Sequence, residues 1–118
     1  MSPTIVMKDG EVFMVTGSPG GSRIITTVLQ VIMNVIDHGD NVAEATLAPR
    51  IHHQWLPEQL RVEEGLSPDT IAALEAKGHD VEVMETMGSA QSILVEEDTG
   101  LLLGGADTRQ TSSAAVGY

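Results

Sequence analysis

The sequence contains no cysteine, which removes disulfide frameworks, thiolate metal ligands and cysteine nucleophiles. Bases are scarce: six lysines and arginines stand against 17 acidic residues, a formal net charge of −11. Such a chain is a poor partner for nucleic-acid backbones or anionic membranes, and solubility accounts for the charge. The imbalance is uneven, with five acids and three bases over residues 1–57 and twelve and three over 58–118. A buried, chemical first half and a solvated second half are therefore expected. No basic region followed by an apolar run is visible at Met1-Ser-Pro-Thr, so no targeting signal is expected within this stretch. The longest apolar segment, Ile24 to Ile36, is interrupted by Thr26, Thr27, Gln30 and Asn34 and is too short to span a bilayer. At 118 residues the chain reads as one small domain or one piece of a larger one.

What is present alternates between strand and helix signals. Thr4 to Met7 and Val12 to Val15 read as strands joined by Lys8-Asp9-Gly10-Glu11, since Asp-Gly marks a tight hairpin. Ser18 then reads as a helix cap with Pro19 at the first helical position, and apolar residues cover most of the helix to Ile36. Only a stripe through Arg23, Thr27, Gln30 and Asn34 stays polar. A helix so apolar needs covering on more than one side, which a chain of this length has little material to supply. A short helix follows, capped by Asn41 and stopped before Pro49. Beyond it come a strand at Leu60 to Glu63, a helix from Ser67 to Gly78, and strands at Val81 to Met84, Gln91 to Glu96 and Leu101 to Gly104. The class is α+β, and no internal repeat is visible.

Few positions suggest chemistry. Gly20-Gly21 is the foremost, because backbone N–H groups at a helix start lack intrahelical partners and favour an anion or a developing oxyanion. Local pattern alone leaves open a plain turn before a helix, and it is not a phosphate loop, since no Gly-Lys-Ser/Thr follows. His52 and His53 point to opposite faces of an extended segment, without partners at ligand spacing, so a structural role beside Trp55 is expected and no metal. His38 and His79 fall at helix ends. Ser89, Ser92, Ser112 and Ser113 lack the G-x-S-x-G setting of a nucleophile and read as turn formers. Glu96-Glu97-Asp98 reads as a solvated turn without calcium-loop spacing.

The stretch from "MSPTIVMKDGEVFMVTGSPGGSRIITT" through "LRVEEG", followed by "LEAKGHDV", "MGSAQSI" and the closing "GY", resembles the C-terminal part of the small subunit of gamma-glutamyltransferase (gamma-glutamyltranspeptidase, glutathione hydrolase). The resemblance runs from Met1 to Tyr118 as a single segment. It implies an N-terminal-nucleophile hydrolase αββα sandwich, incomplete in this chain, from a proenzyme that cleaves itself so that a threonine heads the small subunit. That threonine attacks gamma-glutamyl amides such as glutathione, and water or an amino acid or peptide receives the acyl group. The family's "PGG" turn falls on Pro19-Gly20-Gly21, which implies that Gly20 and Gly21 supply the oxyanion-hole N–H groups. Paired serines of the glutamyl site, the nucleophile and a donor-carboxylate arginine lie outside this chain in that scheme. Thr108 stands where family members often have proline, so Asp107 and Arg109 are given only a structural pairing. No cofactor or metal is implied. The expected partners are the rest of the small subunit and the large subunit, in a periplasmic or extracellular enzyme, with this chain inactive alone. Two other readings remain: a stand-alone binding domain that self-associates as a homo-oligomer, or part of a glutaryl-type acylase.

Overall fold

A computed structural model describes residues 1–117; the terminal Tyr118 of the "GY" motif lies outside the described residues. The chain forms two compact units, one built from residues 1–48 and 88–118, the other from residues 49–87.

The first unit is a sheet with two helices. Strand β1 (Thr4–Lys8) turns back into β2 (Glu11–Gly17) with Lys8 opposite Glu11. Asp9 and Gly10 both take positive φ, 52° and 86°, the geometry that two-residue hairpin turns require. Helix α1 (Arg23–Ile36) and helix α2 (Val42–Leu47) follow. Asn41 caps α2 as its sequence suggests, its side-chain oxygen accepting from Ala43 N and Glu44 N at 3.0 and 2.9 Å. The chain returns at β6 (Gln91–Val95) and β7 (Leu102–Ala106), giving an antiparallel order β1-β2-β6-β7. Met14, Val31, Val42 and Ala90 form the buried core between sheet and helices. Helix α2 lies directly on β7: a Cβ on Gly105 would come within 2.6 Å of Val42 O and 2.8 Å of Thr46 Oγ1.

Helix α1 is covered on one side only. The polar stripe turns partly inward, with Thr27 buried and Asn34 Nδ2 donating to Ala45 O at 3.4 Å. Ile25, Leu29, Met33 and Ile36 instead lie exposed, Ile25 to 75%. This is the incomplete enclosure that the helix's composition foretold.

In the second unit β3 (Ile51–His52) pairs antiparallel with β4 (Leu60–Glu63), which pairs parallel with β5 (Val81–Met84). Helix α3 (Pro68–Ala76) makes the crossover, capped by Ser67 Oγ on Thr70 N at 3.3 Å. Strand β3 has no counterpart in the sequence reading, because two residues are too few to make a pattern. The buried Glu63 carboxylate accepts from the backbone N–H groups of Arg50 and Met87, while Arg50 Nη1 donates to Met87 O at 2.6 Å.

Candidate functional site

The loop between β2 and α1 does not form as its sequence suggests. Ser18 is no helix cap, and Pro19 is not helical: α1 starts at Arg23 with Ser22 before it. The cause is conformational. Gly20 at φ 139° and Gly21 at φ 60° occupy left-handed or mirror backbone that a right-handed helix does not use. They make a turn that runs into the helix, Gly20 O accepting from Arg23 N and Gly21 O from Ile24 N, each at 3.2 Å. Their own N–H groups therefore precede the first helical turn. Both glycines are exposed, and neither amide donates to another group among the described residues. Beside Gly21 the space where a Cβ would project is open.

Behind this exposed edge the loop is locked. Ser18 is fully buried; its Oγ accepts from Ser89 N at 2.9 Å and donates to Pro19 O at 2.7 Å. Gly88, at φ 69°, lies so close that a Cβ there would sit 2.6 Å from Ser18 Oγ and 3.0 Å from Thr27 Oγ1. A Cβ on Gly20 would be 3.6 Å from Gly88 Cα. Local pattern gives little sign of this support beyond the glycine within "MGSAQSI".

Most of the other polar residues that the sequence singles out lie in hydrogen bonds that hold the fold. Ser92 Oγ and Thr16 Oγ1 lie 2.7 Å apart, both buried. Ser113 Oγ accepts from Gln91 Nε2 at 2.9 Å, and Ser112 is exposed. His52 is buried with Nε2 2.9 Å from Gln54 Oε1, and His53 is exposed, its Nδ1 accepting from Trp55 N. Trp55 is 76% exposed. His38 N and His79 N close helix ends on Met33 O and Leu74 O. Asp107 and Arg109 pair as expected, at 3.1 Å. Among the described residues no group of three or more acidic or histidine side chains is placed to hold a metal, and no helix is long and apolar enough to cross a membrane. A charged depression of about 270 Å³ beside Lys8, Glu11 and Glu97 sits at the end of β2 away from Gly20. There Lys8 Nζ meets Glu97 Oε1 at 2.5 Å.

The family model for gamma-glutamyltranspeptidase matches residues 1–117. The chain belongs to this family. It is 64% identical over its whole length to the glutathione hydrolase proenzyme of Escherichia coli, of which it covers 20%; it thus spans about a fifth of that curated relative. A solved gamma-glutamyltranspeptidase of Helicobacter pylori, 50% identical, superposes with a TM-score of 0.88 over 93% of this chain and 61% of its own. The Bacillus anthracis transpeptidase CapD, 23% identical, shares the fold at a TM-score of 0.81 over the whole of this chain and 70% of its own. The strands and helices above are thus part of the α+β fold of N-terminal-nucleophile hydrolases, in a family of enzymes made as proenzymes.

Proposed function

We propose that this chain is the C-terminal part of the small subunit of a gamma-glutamyltransferase, that Gly20 and Gly21 are its oxyanion hole, and that the nucleophilic threonine lies outside these 118 residues. One observation carries the reading: two consecutive exposed amides without partners among the described residues, on a loop locked from behind. Such preorganised donors suit an oxygen that gains charge during reaction.

In this mechanism the threonine hydroxyl gives its proton to its own α-amine and adds to the gamma-carbonyl carbon of the donor. The carbonyl π pair moves onto oxygen, where the N–H groups of Gly20 and Gly21 receive it. Collapse breaks the C–N bond, the amine leaves with the proton held on the α-ammonium, and a gamma-glutamyl ester remains. Water or the amine of an amino acid or peptide then attacks that ester through a second such intermediate. The cycle uses no metal or cofactor.

Oxyanion donors do nothing unless a nucleophile is held beside them, so the chain alone is expected to release no product from a gamma-glutamyl anilide. Turnover above that of a control bearing Gly20→Pro and Gly21→Pro overturns the assignment. In the full-length enzyme, an ester in place of the Gly20 amide, with glycolic acid at that position, should lower kcat about 100-fold or more.

The exposed stripe Ile25, Leu29, Met33, Ile36 supports covering by the rest of the small subunit and the large subunit. It also favours a second reading, a non-catalytic domain that buries the same stripe in a homo-oligomer. A stable, cooperative monomer in light scattering would remove both. A glutaryl-type acylase would share the loop, and rates on glutaryl and gamma-glutamyl amides separate the two. The family resemblance supports a periplasmic or extracellular enzyme, which fractionation of the source cells tests.

A further inference from the structure

From the loop geometry we infer that Ser18 is a positioning residue: it aims the Gly20 N–H by holding the other end of the same peptide unit. The inference rests on the oxyanion reading of Gly20. The C=O of Pro19 and the N–H of Gly20 belong to one planar group, and the only cis bond among the described residues is Leu56-Pro57. In a trans peptide the carbonyl and the N–H point in opposite directions. Whatever fixes Pro19 O therefore fixes the direction of the Gly20 N–H.

Ser18 Oγ–H donates to Pro19 O at 2.7 Å. The hydroxyl has little freedom to do otherwise, because Ser89 N–H donates into the same oxygen at 2.9 Å and the side chain is fully buried. A buried acceptor already occupied on one side leaves the proton to the carbonyl. Gly88 completes the lock, since any Cβ there would displace Ser18 Oγ. A hydrogen bond into Pro19 O also draws electron density toward that oxygen, which makes the Gly20 N–H a stronger donor. Without it, a turn built on two glycines has wide freedom to rotate that peptide plane.

The test uses the full-length enzyme carrying this segment, with rates expressed per mole of cleaved small subunit. Ser18→Ala should lower kcat about tenfold or more and leave KM within about twofold, because the aimed N–H acts on the transition state rather than the bound donor. Affinity for a glutamate analogue with a boronic acid at the gamma position, which forms a tetrahedral anion, should fall in parallel, while affinity for glutamate stays unchanged. The comparator is Thr16→Val, which breaks another buried hydroxyl pair, 2.7 Å from Ser92 Oγ, in strand β2. It should lower thermal stability and spare kcat.

If the alanine variant does not mature, the near-isosteric Ser18→Cys, a weak donor, should give a smaller drop in kcat of the same kind. A Ser18 variant with unchanged kcat, or with losses no larger than those of Thr16→Val, overturns the inference. Should the Gly20 ester lower kcat while Ser18→Ala does not, positioning fails and the oxyanion reading stands. If neither lowers kcat, the oxyanion reading falls and takes the inference with it.

Discussion

Arg109 Nη1 lies 3.1 Å from Asp107 Oδ1, and the same guanidinium donates to Thr46 O, Leu47 O and Ala48 O, the carbonyls that α2 leaves open at its C-terminal end. A cation at that end also opposes the negative pole of the helix. Asp107, fully buried, accepts from Ala90 N at 2.8 Å through its other oxygen, so one carboxylate ties the start of β6 to the end of α2.

Asp107→Ala is therefore expected to destabilise the full-length enzyme by about 3–5 kcal/mol, the cost of leaving a largely buried guanidinium without its counter-charge. Asp107→Asn, which keeps the acceptor for one of the two groups, should cost less. Denaturant unfolding of both variants checks the order, and equal effects would show that the charge of Asp107 is immaterial.

Gly88→Ala is expected to reproduce the kinetic signature of Ser18→Ala, a lower kcat at nearly constant KM. Its Cβ would collide with Ser18 Oγ, and its φ of 69° is itself costly for an L side chain. Steady-state kinetics of the matured enzyme decide the matter, and a rise in KM alone would contradict it.

Gly105→Ala meets backbone rather than a flexible side chain, 2.6 Å from Val42 O. Overpacking of this kind costs about 1–3 kcal/mol, and α2 must shift to relieve it. Thermal melts should drop accordingly, while rates per folded enzyme, which the proposed oxyanion role ties to the Gly20-Gly21 loop, should hold.

Lys8 is held above its usual 10.5 chiefly by its hydrogen bond to Glu97, with the charges of Glu97 and Asp9 adding and desolvation opposing. A raised folded value contributes stability that is complete below the unfolded pKa and disappears as pH climbs through the folded one. Lys8→Gln should thus flatten the alkaline limb of the stability profile. Because Lys8 and Glu97 are both exposed, added salt should erase the difference.

Leu29→Gln should act in opposite senses in two settings. In the isolated chain it removes half-exposed apolar surface, and light scattering should report less association. In the full-length enzyme the same change should weaken assembly of the cleaved subunits if neighbouring segments cover α1.

Local chemistry made much of this legible. Asp9-Gly10, Asn41 and Ser67 each act within four residues, so the hairpin and the starts of α2 and α3 could be read from the chain. Ser18-Pro19 misled for the same reason: Ser-Pro is a helix-start pattern, yet two glycines at positive φ postpone the helix to Arg23. Gly20 and Gly21 stand out because N–H groups just ahead of a helix lack intrahelical partners. Their supports do not stand out, because the contacts from Ser18 to Ser89 and from Gly88 to Thr27 join segments about 60–70 residues apart. Nor could pattern show that the polar stripe of α1 turns inward, since that depends on where Gly88 and α2 leave room.

The order β1-β2-β6-β7 has a consequence for synthesis. Strands β2 and β6 are neighbours in the sheet, yet Thr16 and Ser92 are 76 positions apart, with residues 49–87 between the two halves of the unit. The β1-β2 hairpin pairs residues close in sequence and can form as soon as it emerges from the ribosome. The loop that presents Gly20 must wait for Ser89 before Ser18 acquires its partner. Until the last third of this segment is made, the nascent chain holds a glycine turn with nothing behind it.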